Sequence, residues 1–232
     1  KDINTNEILN KFKKLKVLII GESILDEYTF VEIKGISPKS SILSCRKKDN
    51  KIMPGGALAT FNFLSSIIKN TKLLSIVNQE NFRKNRHLFG KRKDIIVSKN
   101  FTKIIKNRLV ENDANGSIRK IFTINDFEEK KLDKNDENNL IKKIKENARK
   151  VDLIIVQDFG HGLISDKVAK ILSNFSKKLS LNVQTNSLNY GFNIIGKKFK
   201  KSRIVSLDEK ELQLSVGHKD FKYSEELIQL RK

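Results

Sequence analysis

The residues of this chain best suited to chemistry lie just past short apolar segments. The run Val17-Leu-Ile-Ile-Gly21 reads as a fully buried strand, and Asp26 follows it closely. Met53-Pro-Gly-Gly-Ala57 then reads as a glycine turn feeding an apolar-periodic helix. Gly55 and Gly56 let the backbone approach a ligand with no Cβ in the way, and a helix N-terminus favours polar or anionic groups. A strand end, a carboxylate and a glycine-led helix together make a polar-ligand site on an α/β sheet, because ligands bind there outside the carboxyl ends of the strands. A carboxylate also accepts hydrogen bonds from two hydroxyls at once. Each feature alone has a plainer reading, Asp26 as a cap and Gly55-Gly56 as a simple turn.

Three further groups stand out. Lys106 and Arg108 alternate onto one face of a β-prone segment, a geometry for gripping phosphate in which Arg offers a bidentate fork. The plainer reading is an edge strand guarded by charge. Asp158 ends a second continuous apolar run, and Gly160 and Gly162 bracket His161. Asp208-x-x-Glu211 opens a helix after another apolar segment. Two carboxylates there suit Mg²⁺ held through water, or simply the helix dipole. Residues 182–193 are unusually polar beside a strand and could line nucleotide phosphates.

The elements that must position these residues alternate between strand and helix. Strands are expected at 16–21, 72–77, 94–98, 152–157, 179–184 and 203–207. Helices are expected at 57–68, 80–89, 133–149, 166–175 and from 209, after a polar helical lead-in over 1–14. Strands separated by helices mean a parallel sheet covered on both faces. Four β-prone segments, 28–33, 41–46, 104–111 and 117–124, interrupt the order, the last two around Asn115-Gly116, a hairpin signal. They alternate rather than run continuously apolar, so they are expected in a small separate sheet over the strand ends.

The 232 residues suffice for one α/β domain. The formal net charge is +20. Scattered lysines, aromatics at 7% and no Trp give no stacking platform or recognition helix, so no nucleic-acid partner is expected. Anionic-substrate steering remains a modest consequence of the charge. One cysteine, Cys45, excludes an intrachain disulfide, and with His87, His161 and His218 it makes no zinc constellation. The longest apolar run is too short to cross a bilayer, so no membrane association is expected, and a reducing, cytoplasmic setting is the default.

In this order the motifs resemble the ribokinase-like (phosphofructokinase-B) carbohydrate kinases, and within them the heptose 7-phosphate kinase branch. The resemblance is carried by Gly21, Leu25-Asp26, Tyr28, Ile36-Ser37-Pro38, Pro54-Gly55-Gly56-Ala57, Lys106-Asn-Arg108, Asp158-Phe-Gly-His-Gly162 and Asp208-Glu-Lys-Glu211. It implies a three-layer ribokinase-like α/β domain with a small β-sheet lid, the lid segments at about 27–47 and 102–125. It also implies ATP-dependent phosphoryl transfer to a hydroxyl of a heptose phosphate, in nucleotide-activated heptose synthesis. Asp26, Gly55, Gly56, Arg108 and Asp158 would bind the sugar phosphate. Asp208 and Glu211 would serve the ATP side, with Glu211 near Mg²⁺. A homodimer through the lid and a fused nucleotidyltransferase domain are the partners the resemblance suggests.

The chain also departs from that pattern. Ala59 stands where the family carries Asn, His161 where it carries Lys, and Asp208 where it carries Asn. Asn78-Gln79-Glu80-Asn81 replaces a glycine-rich stretch, and no Gly-Ala-Gly-Asp motif occurs. Residues 1–232 therefore read as a partial kinase domain whose nucleotide-binding part and catalytic base lie beyond Lys232, and which alone should not turn over substrate. The departures leave a second reading, a catalytically inactive relative that binds sugar phosphate or holds a partner domain.

Overall fold

The computed structural model describes residues 4–90, 94–112, 115–128, 130–185 and 189–217. In chain order the elements are α1 (Thr5–Lys13), β1 (Lys16–Gly21), β2 (Ser23–Ile36), β3 (Leu43–Gly55), α2 (Gly56–Ile67), β4 (Asn70–Asn78), α3 (Gln79–Lys84), α4 (Arg86–Phe89) and β5 (Ile95–Ser98). They continue with β6 (Ile105–Asn112), β7 (Ile118–Asp126), α5 (Lys134–Ala148), β8 (Leu153–Asp158), α6 (Asp166–Ser173), β9 (Leu179–Val183), α7 (Ile195–Lys198), β10 (Ile204–Ser206) and α8 (Glu209–Val216).

Six strands form a parallel sheet in the order β10–β9–β8–β1–β4–β5. The central strand β1 shows why its sequence is apolar throughout. Leu18 and Ile20 pack on one face with Leu140 and Ile144 of α5 and Val168 and Leu172 of α6. Val17 and Ile19 pack on the other with Leu58 and Phe61 of α2. Both faces are dry, so no alternation survives. Fully burying one such aliphatic side chain stabilises by about 1.5–3 kcal/mol.

The interrupting segments form a second sheet, ordered β3–β2–β6–β7. β2 pairs antiparallel with β3 and parallel with β6, and β6 pairs antiparallel with β7. None of these strands joins the large sheet, as expected from their alternation. Residues 113 and 114 of the predicted hairpin turn lie outside the described residues.

Four details differ from the sequence expectation. β2 starts at Ser23 rather than at residue 28, so Asp26 lies inside a strand of the small sheet and not past a strand end. β3 runs on through Lys47 to Gly55, so Met53-Pro54-Gly55 is still strand, and the turn falls at Gly56. Its charged stretch Lys47-Lys-Asp-Asn-Lys51 shows no apolar alternation because an edge strand tolerates, and is protected by, exposed charge. The helix expected over 80–89 is broken at Asn85 into α3 and α4. The four-residue helix α7 has too few residues for a periodic signal.

Candidate functional site

Asp26 and Arg108 meet on the small sheet. Parallel pairing of β2 with β6 sets Asp26 opposite Lys106 and Tyr28 opposite Arg108. The Asp26 Oδ1 and Arg108 Nη1 atoms form an ion pair whose side chains are 20% and 19% exposed. The Arg108 guanidinium also lies 5.5 Å from the Tyr28 ring centroid, a cation–π contact. A carboxylate and a guanidinium fork thus sit side by side at the root of this sheet.

Gly55 and Gly56 reach the same place from the other strand. A Cβ at Gly55 would fall on the Asp26 carboxylate, so only glycine lets β3 pass that close. Gly56 has φ +57, and its Cβ would strike the Glu22 carbonyl. That carbonyl accepts the Ala57 N–H at 2.9 Å, fixing the start of α2.

Glu22 itself was not singled out from the sequence. It is fully buried. Its Oε2 accepts the Phe159 N–H at 2.9 Å and its Oε1 the Leu163 N–H at 3.2 Å. Nearby, the Ser23 N–H and hydroxyl both donate to Ser75 Oγ, at 3.2 and 3.0 Å. One residue therefore ties the β1–β2 junction to the loop after β8 and to the first turn of α2. Burial, and then the neighbouring Asp158 carboxylate, raise the Glu22 pKa from 4.5 to about 7. A carboxylate that follows a buried strand by one residue is the signal that could have marked it.

Asp158 is 1% exposed. Its Oδ2 is paired with Lys198 Nζ at 2.6 Å, and its Oδ1 accepts the Gly160 N–H at 2.9 Å and Asn193 Nδ2 at 3.3 Å. Lys198 also donates to Asn193 Oδ1 at 3.0 Å. The carboxylate is thus satisfied from within, joining β8 to α7. Lys106, on the Asp26 strand pair, stands 5.9 Å from the Phe159 ring centroid. Its pKa is lowered, chiefly by burial, against the opposing pull of Asp26.

Asp208 and Glu211 lie after β10, at the far end of the sheet from α2. They form a capping box. Asp208 Oδ1 accepts the Glu211 N–H at 2.8 Å, and Glu211 Oε2 accepts the Asp208 N–H at 2.9 Å. Glu211 Oε1 further accepts the Thr185 N–H at 3.2 Å, and burial raises the Glu211 pKa. Both Glu211 oxygens, expected near Mg²⁺, are thus taken by backbone amides, and Asp208 Oδ2 is the carboxylate oxygen of the pair outside these bonds. Among the described residues no cluster of three or more His, Cys, Asp or Glu side chains forms a metal cage. Residues 186–188 of the polar stretch lie outside the described residues.

This architecture is that of the ribokinase-like carbohydrate kinases. A phosphofructokinase-2 mutant of Escherichia coli superposes with a TM-score of 0.59 at 11% identity, over 93% of this chain and 68% of that one. A ribokinase of Arabidopsis thaliana, solved with ribose and ATP, gives 0.57 at 13% identity, over 94% and 69%. By sequence the chain is similar to proteins named bifunctional protein HldE. That of Aliarcobacter butzleri is 24% identical over 206 residues, 87% of this chain, and that of Campylobacter jejuni serotype O:2 is 25% identical over 203 residues, 86% of it. The chain spans 41% of the length of each of these two relatives. No protein-family model matches it. Among the described residues no helix is long and apolar enough to cross a membrane.

Proposed function

We propose that these residues form the sugar-binding part of an ATP-dependent sugar kinase whose substrate is a heptose phosphate. The observation that carries the reading is the Asp26–Arg108 pair beside Gly55-Gly56, at the joint where the small sheet leaves the central strand. In this account Asp26 accepts hydrogen bonds from two sugar hydroxyls. Arg108 exchanges its partner for the substrate phosphate, and the start of α2 offers its amides to the sugar. The small sheet acts as the lid, and its outer face as the contact in a homodimer.

Asp158 contributes by fixing the loop that faces the sugar. ATP and Mg²⁺ belong at the Asp208–Glu211 end, where the residues after β10 would hold the ion through Asp208 Oδ2. Bound Mg²⁺ would supply charge neutralisation on the transferred phosphoryl group. None of the site residues is placed as a catalytic base, so for these residues the proposal is binding rather than turnover. Similarity to the HldE proteins supports the heptose phosphate and a fused nucleotidyltransferase partner domain. The capping box favours a second reading, a non-catalytic sugar-phosphate-binding relative, because the cap already uses most of that carboxylate pair.

The test is calorimetry with heptose 7-phosphate. Asp26→Asn should reduce affinity at least about tenfold, the loss of one charged hydrogen bond, with an unchanged circular dichroism spectrum. Equal affinity for the wild type and the variant would remove Asp26 from the site.

A further inference from the structure

Glu22 holds together two parts of the proposed sugar site that come from distant stretches of the chain. Its side chain is fully buried just ahead of β2, the strand of Asp26. The carboxylate accepts the Phe159 N–H at 2.9 Å and the Leu163 N–H at 3.2 Å, across 137 and 141 residues. The backbone carbonyl accepts the Ala57 N–H at 2.9 Å. One residue thus fixes the loop after β8 with its side chain and the glycine-led helix α2 with its main chain.

That loop turns sharply, with Gly160 and Gly162 at φ +74 and +93. On the β8–β9 side the Gly160 N–H donates to Asp158 Oδ1 at 2.9 Å, and Asn189 Nδ2 donates to the Phe159 carbonyl at 3.1 Å. Glu22 joins the loop to the β1–β2 junction. From Phe159 the contact runs on into the site. Lys106 Nζ stands 5.9 Å from the Phe159 ring centroid, and Lys106 pairs in register with Asp26. The same loop carries His161, 4% exposed and edge-on to Phe127.

The hold on the loop depends on charge. An ionised carboxylate accepts at both oxygens, whereas a carboxylic acid turns one of them into a donor. A proton on Glu22 therefore sets a donor against an N–H and breaks one of the two loop bonds, while the carbonyl bond to Ala57 stays. The charged groups acting on Glu22 are Asp158 at the end of β8 and Lys198 of α7, and Lys106 of β6 feels Glu22 in turn. Burial and then Asp158 raise the Glu22 pKa to about 7, against the opposing pull of Lys198, so both forms are populated near neutral pH.

We propose that Glu22 is a positioning residue for the sugar phosphate and makes its binding proton-linked. With the carboxylate ionised, the loop after β8 is held against Lys106 and the Asp26 strand. With a proton on it, the loop loosens and the ligand binds more weakly. The proposal rests on the sugar-binding reading above and adds a pH dependence to that site.

The experiment uses the whole chain and heptose 7-phosphate. The Glu22 side-chain carboxyl is titrated by ¹³C NMR, free and with saturating ligand, and affinity is measured by calorimetry at pH 8 and pH 6. If the ionised form is the competent one, its share falls from about nine-tenths to about one-tenth between these values, and affinity falls roughly tenfold. By reciprocity the ligand should lower the Glu22 midpoint by about one pH unit. Glu22→Gln mimics the protonated acid, and should bind weakly at both values without that extra dependence. The ligand's own phosphate titrates equally with either protein, so the difference between them isolates Glu22. A midpoint that the ligand leaves unmoved, or the same pH profile in the two proteins, would overturn the proposal and leave the sugar reading standing. If Glu22→Gln fails to fold, the wild-type carboxyl titration decides. No binding by the wild type, or equal affinity in Asp26→Asn, would overturn the sugar reading and this proposal with it.

Discussion

Replacing Glu22 by Gln removes a buried carboxyl while keeping its volume, and its effect should depend on pH in a defined sense. The folded-state pKa is raised from 4.5 to about 7, first by burial and then by Asp158. Between these values the native state holds a proton that the unfolded state releases. The contribution of Glu22 to stability is therefore fully present below pH 4.5 and is lost as pH rises through 7. The interval corresponds to roughly 3 kcal/mol. His161 works in the opposite direction. Its pKa is lowered to about 4, so its contribution is lost as pH falls from 6.5 toward 4. The wild-type profile is a sum of the two, and only a difference against the variant isolates Glu22. Urea unfolding of both proteins between pH 4.5 and 8 is the assay. The stability of the wild type relative to Glu22→Gln should fall by about 3 kcal/mol across that range. Gln also leaves one of the Phe159 and Leu163 amides without an acceptor, a constant offset of about 1–3 kcal/mol. A difference that does not vary with pH would refute the assignment of a raised pKa to Glu22.

Two other substitutions probe the same joint. Gly56→Ala places a Cβ at φ +57 against the Glu22 carbonyl, and should cost at least about 2 kcal/mol in chemical denaturation; a neutral result would show that the turn relaxes freely. Lys198→Ala leaves Asp158, 1% exposed, without its cation, and should destabilise by roughly 3–5 kcal/mol. Lys198→Met with Asp158→Leu should recover much of that loss, and failure to recover would mean the pair does more than neutralise itself.

The layered fold was legible because β1 and β8 are apolar runs ended by glycine or aspartate, and α2, α5 and α6 repeat apolar residues on one face. The small sheet was legible from alternation and from Asn115-Gly116. The charged half of β3 was not, because an edge strand needs no buried face. Asp26, Gly55, Gly56 and Arg108 were singled out by type and spacing taken together with the family resemblance, and the structure brings them together at one joint. Asp158 was singled out as a ligand residue and sits at the same strand end, but its partners are Lys198, Gly160 and Asn193. Lys198, forty residues on, has no local pattern linking it to Asp158. Glu22 was hidden because its partners are backbone amides of a loop far along the chain, which no side-chain motif announces.

The central claim is that Asp26 and Arg108 share one sugar phosphate beneath the small sheet. A crystal structure of the chain grown with heptose 7-phosphate tests it most directly. The account predicts sugar hydroxyls within hydrogen-bond distance of the Asp26 carboxylate, about 2.6–3.0 Å, and the phosphate on the Arg108 guanidinium. Sugar density elsewhere, with the Asp26–Arg108 pair intact, would contradict it.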